Sequence, residues 1–171
     1  VYSANVVGGV QVPGFGGLSR SVMVRTSTGG SSAQGISQSS GTSLSISGSQ
    51  VYTASAYAKA PTGETINLVV TPTGGGSAQS VSVTADGTWQ KIVNTYTTDP
   101  AATNIAVSVT LSNASASVKT FYVDRVAVND GSIAYDYFDL NTPSVGGSQY
   151  YYSDDLSLTV GEFIYRTYIS T

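Results

Sequence analysis

The sequence predicts an all-β protein, an antiparallel two-sheet sandwich with a small C-terminal β appendage, and three observations carry that prediction. Leu, Glu, Lys and Gln are sparse while Val, Thr, Tyr, Ser and Gly dominate, a composition that favours strands and turns over helices. Segments that alternate apolar and polar residues recur along the chain, and that is the period at which a strand presents one face to a core. Between them stand residues suited to turns by mechanism, glycine for positive φ and proline for a fixed φ.

Taken in order, the first stretch, Val1 to Gly48, is rich in Gly and Ser. Residues 1–17 read as a flexible arm, and Ser21 to Thr26 and Thr42 to Ser47 are its two clear strand candidates. The Gly-rich run Val7 to Gly17 lacks the lysine of a phosphate-binding loop and comes after no clear strand, so it is not a nucleotide site. Six strands are well marked after it: Gln50 to Lys59, Thr65 to Thr71, Gln79 to Ala85, Thr88 to Thr97, Asn104 to Leu111 and Lys119 to Val128. Pro61-Thr62-Gly63, Gly74-Gly75-Gly76, Asp86-Gly87, Asp99-Pro100 and Asn129-Asp130-Gly131 punctuate them. The alternation also names the dry face, with Ile66, Leu68 and Val70 opposed to Asn67, and Ile105, Val107, Val109 and Leu111 opposed to Ala106, Ser108 and Thr110. One dry and one small, polar face per strand is the requirement of a sandwich. The sandwich is expected over residues 18–131 and a tyrosine-rich appendage over 132–171.

Composition then bounds function. A chain of 171 residues is long enough to bury one real core. Its net charge is −3 with Lys and Arg scattered, so no basic stripe is available for phosphates and no nucleic-acid partner is expected. The longest apolar run, Ile66 to Val70, is strand-sized and interrupted by Asn67, and membrane insertion is not expected. Cysteine is absent, which removes disulfides and thiolate metal sites. The start at Val1 without Met reads as a processed product or an excerpt of a longer protein.

The run Val51-Tyr52-Thr53-Ala54-Ser55-Ala56-Tyr57-Ala58-Lys59-Ala60, then Gly87-Thr88-Trp89-Gln90-Lys91, then Phe121-Tyr122-Val123-Asp124-Arg125-Val126 resembles carbohydrate-binding modules of the family 4/9 type. The resemblance covers roughly Gly16 to Val128 and implies a galactose-binding-like jelly roll. Tyr137-Phe138-Asp139-Leu140-Asn141-Thr142-Pro143, with the tyrosine-rich stretch after it, resembles the segment found C-terminal to such modules in minor tail and related virion proteins of bacteriophages. Here Leu140 stands where a glycine is usual, and Tyr151-Tyr152-Ser153 replaces a Trp-Thr-Gly.

Histidine is absent, which excludes Ser-His and Cys-His nucleophiles and every His-based metal site. A glycosidase-type carboxylate pair would have to come from two glutamates and eight aspartates. Glu64 and Asp86 fall in predicted turns, Asp154 and Asp155 are neighbours in a loop, and Glu162 comes after a glycine. They read as solvated turn carboxylates, and no catalysis is expected. Asp124 differs, because it sits mid-strand, where a charge needs a partner. The resemblance implies that this Asp helps hold a structural calcium with backbone carbonyls from near the N-terminus, a suitable oxygen donor set. Pairing with Arg125 or a backbone amide is the alternative, and no acidic partner lies in Val1 to Gly17.

Sugar binding asks for an aromatic face to stack on pyranose C–H bonds, with amides or charges nearby for hydroxyls. Tyr57, Lys59 and Asn67 occupy the polar faces of their strands, with Lys91 as a neighbour, and together they are the expected groove floor. Tyr57 reads equally as a packing residue, and Trp89 reads as core or rim. The tyrosines at 135, 137, 150, 151, 152, 165 and 168 either pack the appendage or form an assembly contact. Asn113-Ala114-Ser115 is a formal glycosylation triplet that carries no meaning in a bacterial or phage setting. The expected function is a non-catalytic bacteriophage virion component, on tail or capsid surface, that contacts host-surface glycans and other virion proteins as a homo-oligomer. Two alternatives stand beside it, an accessory module of a secreted polysaccharide-degrading enzyme and an architectural decoration protein without ligand.

Overall fold

A computed structural model of the chain describes residues 21–29, 33–37, 43–112 and 116–134. Among them are nine strands and no helix: β1 (Val22–Arg25), β2 (Gln34–Ser37), β3 (Leu44–Ser45), β4 (Val51–Lys59), β5 (Thr65–Thr73), β6 (Gln79–Thr84), β7 (Gln90–Thr97), β8 (Asn104–Leu111) and β9 (Thr120–Asp130). All pair antiparallel in two sheets. One has the order β1-β9-β4-β7; the other has the order β2-β8-β5-β6, with β3 also along β8. The eight strand expectations hold, with ends shifted by a few residues. β2 was not expected, because Gln-Gly-Ile-Ser offers one apolar residue and a strand-weakening glycine. That glycine is required: a Cβ on Gly35 would run into the backbone of Val109 and Thr110 on β8.

The dry faces are those the alternation named. Ile66, Leu68, Val70, Val109 and Leu111 from one sheet join Ala54, Ala56, Ala58, Ile92, Phe121 and Val123 from the other in a single buried cluster. The three alanines of β4 leave room for the larger side chains opposite, which keeps the layer close-packed. Asn94 on β7 is fully buried as well. Its amide donates to the carbonyls of Leu68 at 3.0 Å and Gln79 at 3.1 Å, joining an edge strand of one sheet to β5 and β6 of the other. The turns are also as read, with Gly63, Gly74, Gly76, Gly87 and Gly131 at positive φ. Asn129 and Asp130, expected in a turn, instead close β9. The arm at 1–17, the appendage from 135 onward with its tyrosines, and Asn113-Ala114-Ser115 lie outside the described residues.

Candidate functional site

Strand alternation and register assemble the site on the outer face of the four-stranded sheet. Ala54, Ala56 and Ala58 face the core, so Thr53, Ser55, Tyr57 and Lys59 lie on the opposite, outer face of β4, where Thr53 and Ser55 are buried and Tyr57 and Lys59 half-buried. Antiparallel partners share a face. Tyr57 is flanked by Lys91 on β7 and by Asp124 on β9, giving one lateral row. Lys59 faces Tyr122 on β9, and Tyr122 faces Met23 on β1, giving the next. The Lys91 ammonium lies 5.9 Å from the Tyr57 ring centroid, within cation–π range.

A β-bulge decides who stands beside Tyr57. Ser55 pairs Ala127, but two residues further on β4 Tyr57 pairs Asp124, so β9 carries one extra residue. That residue is accommodated where Arg125 takes φ 51°, a left-handed conformation that a non-glycine side chain adopts at a cost. Without the bulge Arg125, not Asp124, would oppose Tyr57. Asp124 is buried, 8% exposed.

Of the four expected floor residues, the structure brings Tyr57, Lys59 and Lys91 together and places Asn67 elsewhere. Asn67 is on β5, on the outer face of the opposite sheet. There Ser82 donates to its Oδ1 at 2.7 Å and its Nδ2 donates to Ser112 at 2.9 Å. The expectation of a floor shared by all four is therefore corrected, because alternation tells in from out but not one sheet from the other. Trp89, read as core or rim, is half-buried just ahead of β7. Two residues on the Tyr57 face were missed. Tyr122 is one, and its alternation with Phe121 and Val123 is the signal of an outward aromatic. Asn129, opposite Thr53, is 3% exposed with neither amide atom hydrogen-bonded, an unusual state for a buried side chain, and nothing in the sequence signals it.

The carboxylates read as turn residues behave in two ways. Asp86 is fully exposed, and the hydroxyl of Thr88 at 2.7 Å and its backbone N–H at 2.8 Å hold its carboxyl below the usual range. Glu64 is ion-paired instead, accepting from Lys119 at 2.6 Å with the two side chains 21% and 16% exposed. For calcium, no group of three His, Cys, Asp or Glu is found among the described residues. Among the described residues, Asp124 also shares its row with the cationic Lys91 across Tyr57. The N-terminal carbonyls that a calcium site would need lie outside the described residues.

A family model described as a carbohydrate binding domain matches residues 15–116. No curated protein matches. Among solved structures, the chain is similar to the N-terminal endo-1,4-β-D-xylanase 10B of Clostridium thermocellum, solved as CBM22-1 and GH10 modules with xylohexaose, at 26% identity and TM-score 0.51. That match covers 74% of this chain and 24% of the xylanase chain. It is also similar to the enzymatically active domain of tailspike protein 4 from bacteriophage CBA120, at 16% identity and TM-score 0.52, covering 71% of this chain and 17% of that one. The chain thus spans a quarter or less of either protein, and the shared part is the jelly-roll sandwich.

Proposed function

The chain belongs to the carbohydrate binding domain family whose model spans residues 15–116, and on that premise we propose that it binds glycans without catalysis on the outer face of its four-stranded sheet. The observation that carries this reading is the pair of rows Lys91-Tyr57-Asp124 and Lys59-Tyr122-Met23. An outward aromatic with polar neighbours in fixed register can stack on a pyranose and bond its hydroxyls. The opposite sheet's outer face carries Asn67, Ser80, Ser82, Ser108 and Thr110, with no aromatic among its described strand residues to stack.

In this reading the module is an adhesive, structural part of a bacteriophage particle, displayed on tail or capsid surface, with host-wall polysaccharide as ligand and other virion proteins and its own copies as neighbours. The segment 137–143 supports it. A second reading, an accessory module of a secreted polysaccharide-degrading enzyme, is supported by the 26% likeness to a xylanase chain. A glycan array and a host-cell-wall pull-down test the site, with Tyr57→Ala/Lys59→Ala alongside. Binding lost in the variant supports the site, whereas a folded variant that binds every glycan as before refutes it. Mass spectrometry of purified particles separates the settings: the chain in virions supports the first, and a catalytic domain in the same open reading frame supports the second.

A further inference from the structure

The strand-borne charge of the described residues is distributed one-sidedly. None of β2, β3, β5, β6 or β8 carries a charged residue, whereas the four-stranded sheet carries six. On its outer face stand Arg25, Lys59 and Lys91 against the single carboxylate of Asp124, which is buried. Among the described residues, the face that bears the outward tyrosines thus carries three cationic side chains to one carboxylate, in a chain of net charge −3.

The placement is paired as well as one-sided. Each tyrosine has a lysine as its direct cross-strand neighbour, Tyr57 with Lys91 and Tyr122 with Lys59. The two pairs are diagonal to each other, one strand and two residues apart, which is about 5 Å by about 7 Å. A ring stacked on either tyrosine has an ammonium at its rim. Neutral hydroxyls need no such charge, and a charge held at a sugar site discriminates by the sign of its ligand.

Resting on the proposed glycan site, we infer that its ligand is an acidic polysaccharide whose pyranose units carry carboxylates, a polyuronate or a uronate-substituted chain, with Lys59 and Lys91 pairing successive carboxylates. The test is titration calorimetry of the full chain against polygalacturonate and its methyl ester, glucuronoxylan and unsubstituted xylan, and dextran sulfate. The acidic form of a pair is expected to bind about four- to twenty-five-fold tighter than its neutral counterpart, from two ion pairs of about two- to fivefold each. Added salt shrinks that preference. Lys59→Gln and Lys91→Gln each lower the acid-to-neutral ratio about two- to fivefold, and Lys119→Gln, off this face and paired to Glu64, leaves it unchanged. Neutral forms bound as tightly as acidic ones at low salt would overturn the inference and leave the glycan site standing. Equal binding of dextran sulfate would overturn it in favour of generic polyanion attraction. No binding to any glycan by a folded chain would refute both.

Discussion

Replacing Asn94 by alanine removes the polar tie between the two sheets, and the geometry sets its cost. The fully buried amide donates to two carbonyls, Leu68 on β5 at 3.0 Å and Gln79 on β6 at 3.1 Å. Each bond contributes about 1 kcal/mol net, and each carbonyl left dry adds about 1–2 kcal/mol. A partial offset exists, since the Asn94 Oδ1 has no hydrogen-bond partner and deleting that orphan recovers about 1 kcal/mol. Asn94→Ala is therefore expected to lose about 3–5 kcal/mol in urea denaturation and to melt about 6–20 °C lower. Thr97→Ala, on the exposed face of the same strand, is the control and is expected to stay within about 0.5 kcal/mol. Asn94→Asp goes further, because a carboxylate can only accept. Facing two carbonyls it must hold a proton to donate, so its folded-state pKa rises above the unfolded one. Stability of that variant then increases as pH falls from the folded pKa toward the unfolded one. An Asn94→Ala loss below about 1 kcal/mol, or an Asn94→Asp variant indifferent to pH, would show that the tie does not join the sheets.

Four further outcomes are expected. Thr88→Val removes the hydroxyl that bonds Asp86 and moves the Asp86 carboxyl up toward its ordinary value in an NMR titration; the stability linked to Asp86 is present above its unfolded pKa and fades as pH falls through the lowered folded one. Phe121→Ala empties a fully buried position on β9 and costs about 3–5 kcal/mol by denaturant melting. Gly35→Val forces β2 off β8, where a Cβ meets the Val109 and Thr110 backbone, and is expected to lower the melting temperature and speed hydrogen exchange along the β2–β8 pairing. A double-mutant cycle on Glu64 and Lys119, 2.6 Å apart and partly buried, is expected to return a coupling of about 1 kcal/mol.

Much of this molecule is legible in its sequence because the legible part is local. Ile105 to Leu111 alternates apolar with small or polar residues, and β8 has that register and that buried face. Tyr57 and Lys59 share a face by period two alone. The failures were nonlocal. β2 hides its strand behind Gly35, whose value appears only against the β8 backbone. Asn67 has the same outward pattern as Tyr57, yet its strand joins β6 and β8 rather than β7 and β9. Asp124 reads from sequence as a mid-strand charge in need of a partner, and only the extra residue of β9 sets it opposite Tyr57.

By itself, then, the sequence determined the all-β class, the strands with strict alternation, the turn glycines and which residues of each strand stay dry. Those features arise from φ/ψ sterics and side-chain direction within a few residues. Tertiary structure alone decided which strands lie side by side, that β4 sits between β7 and β9, and hence that Tyr57, Lys91, Lys59 and Tyr122 share one surface. Pairing partners far apart in sequence are selected by the burial of the whole core, a sum over both sheets that no single segment encodes.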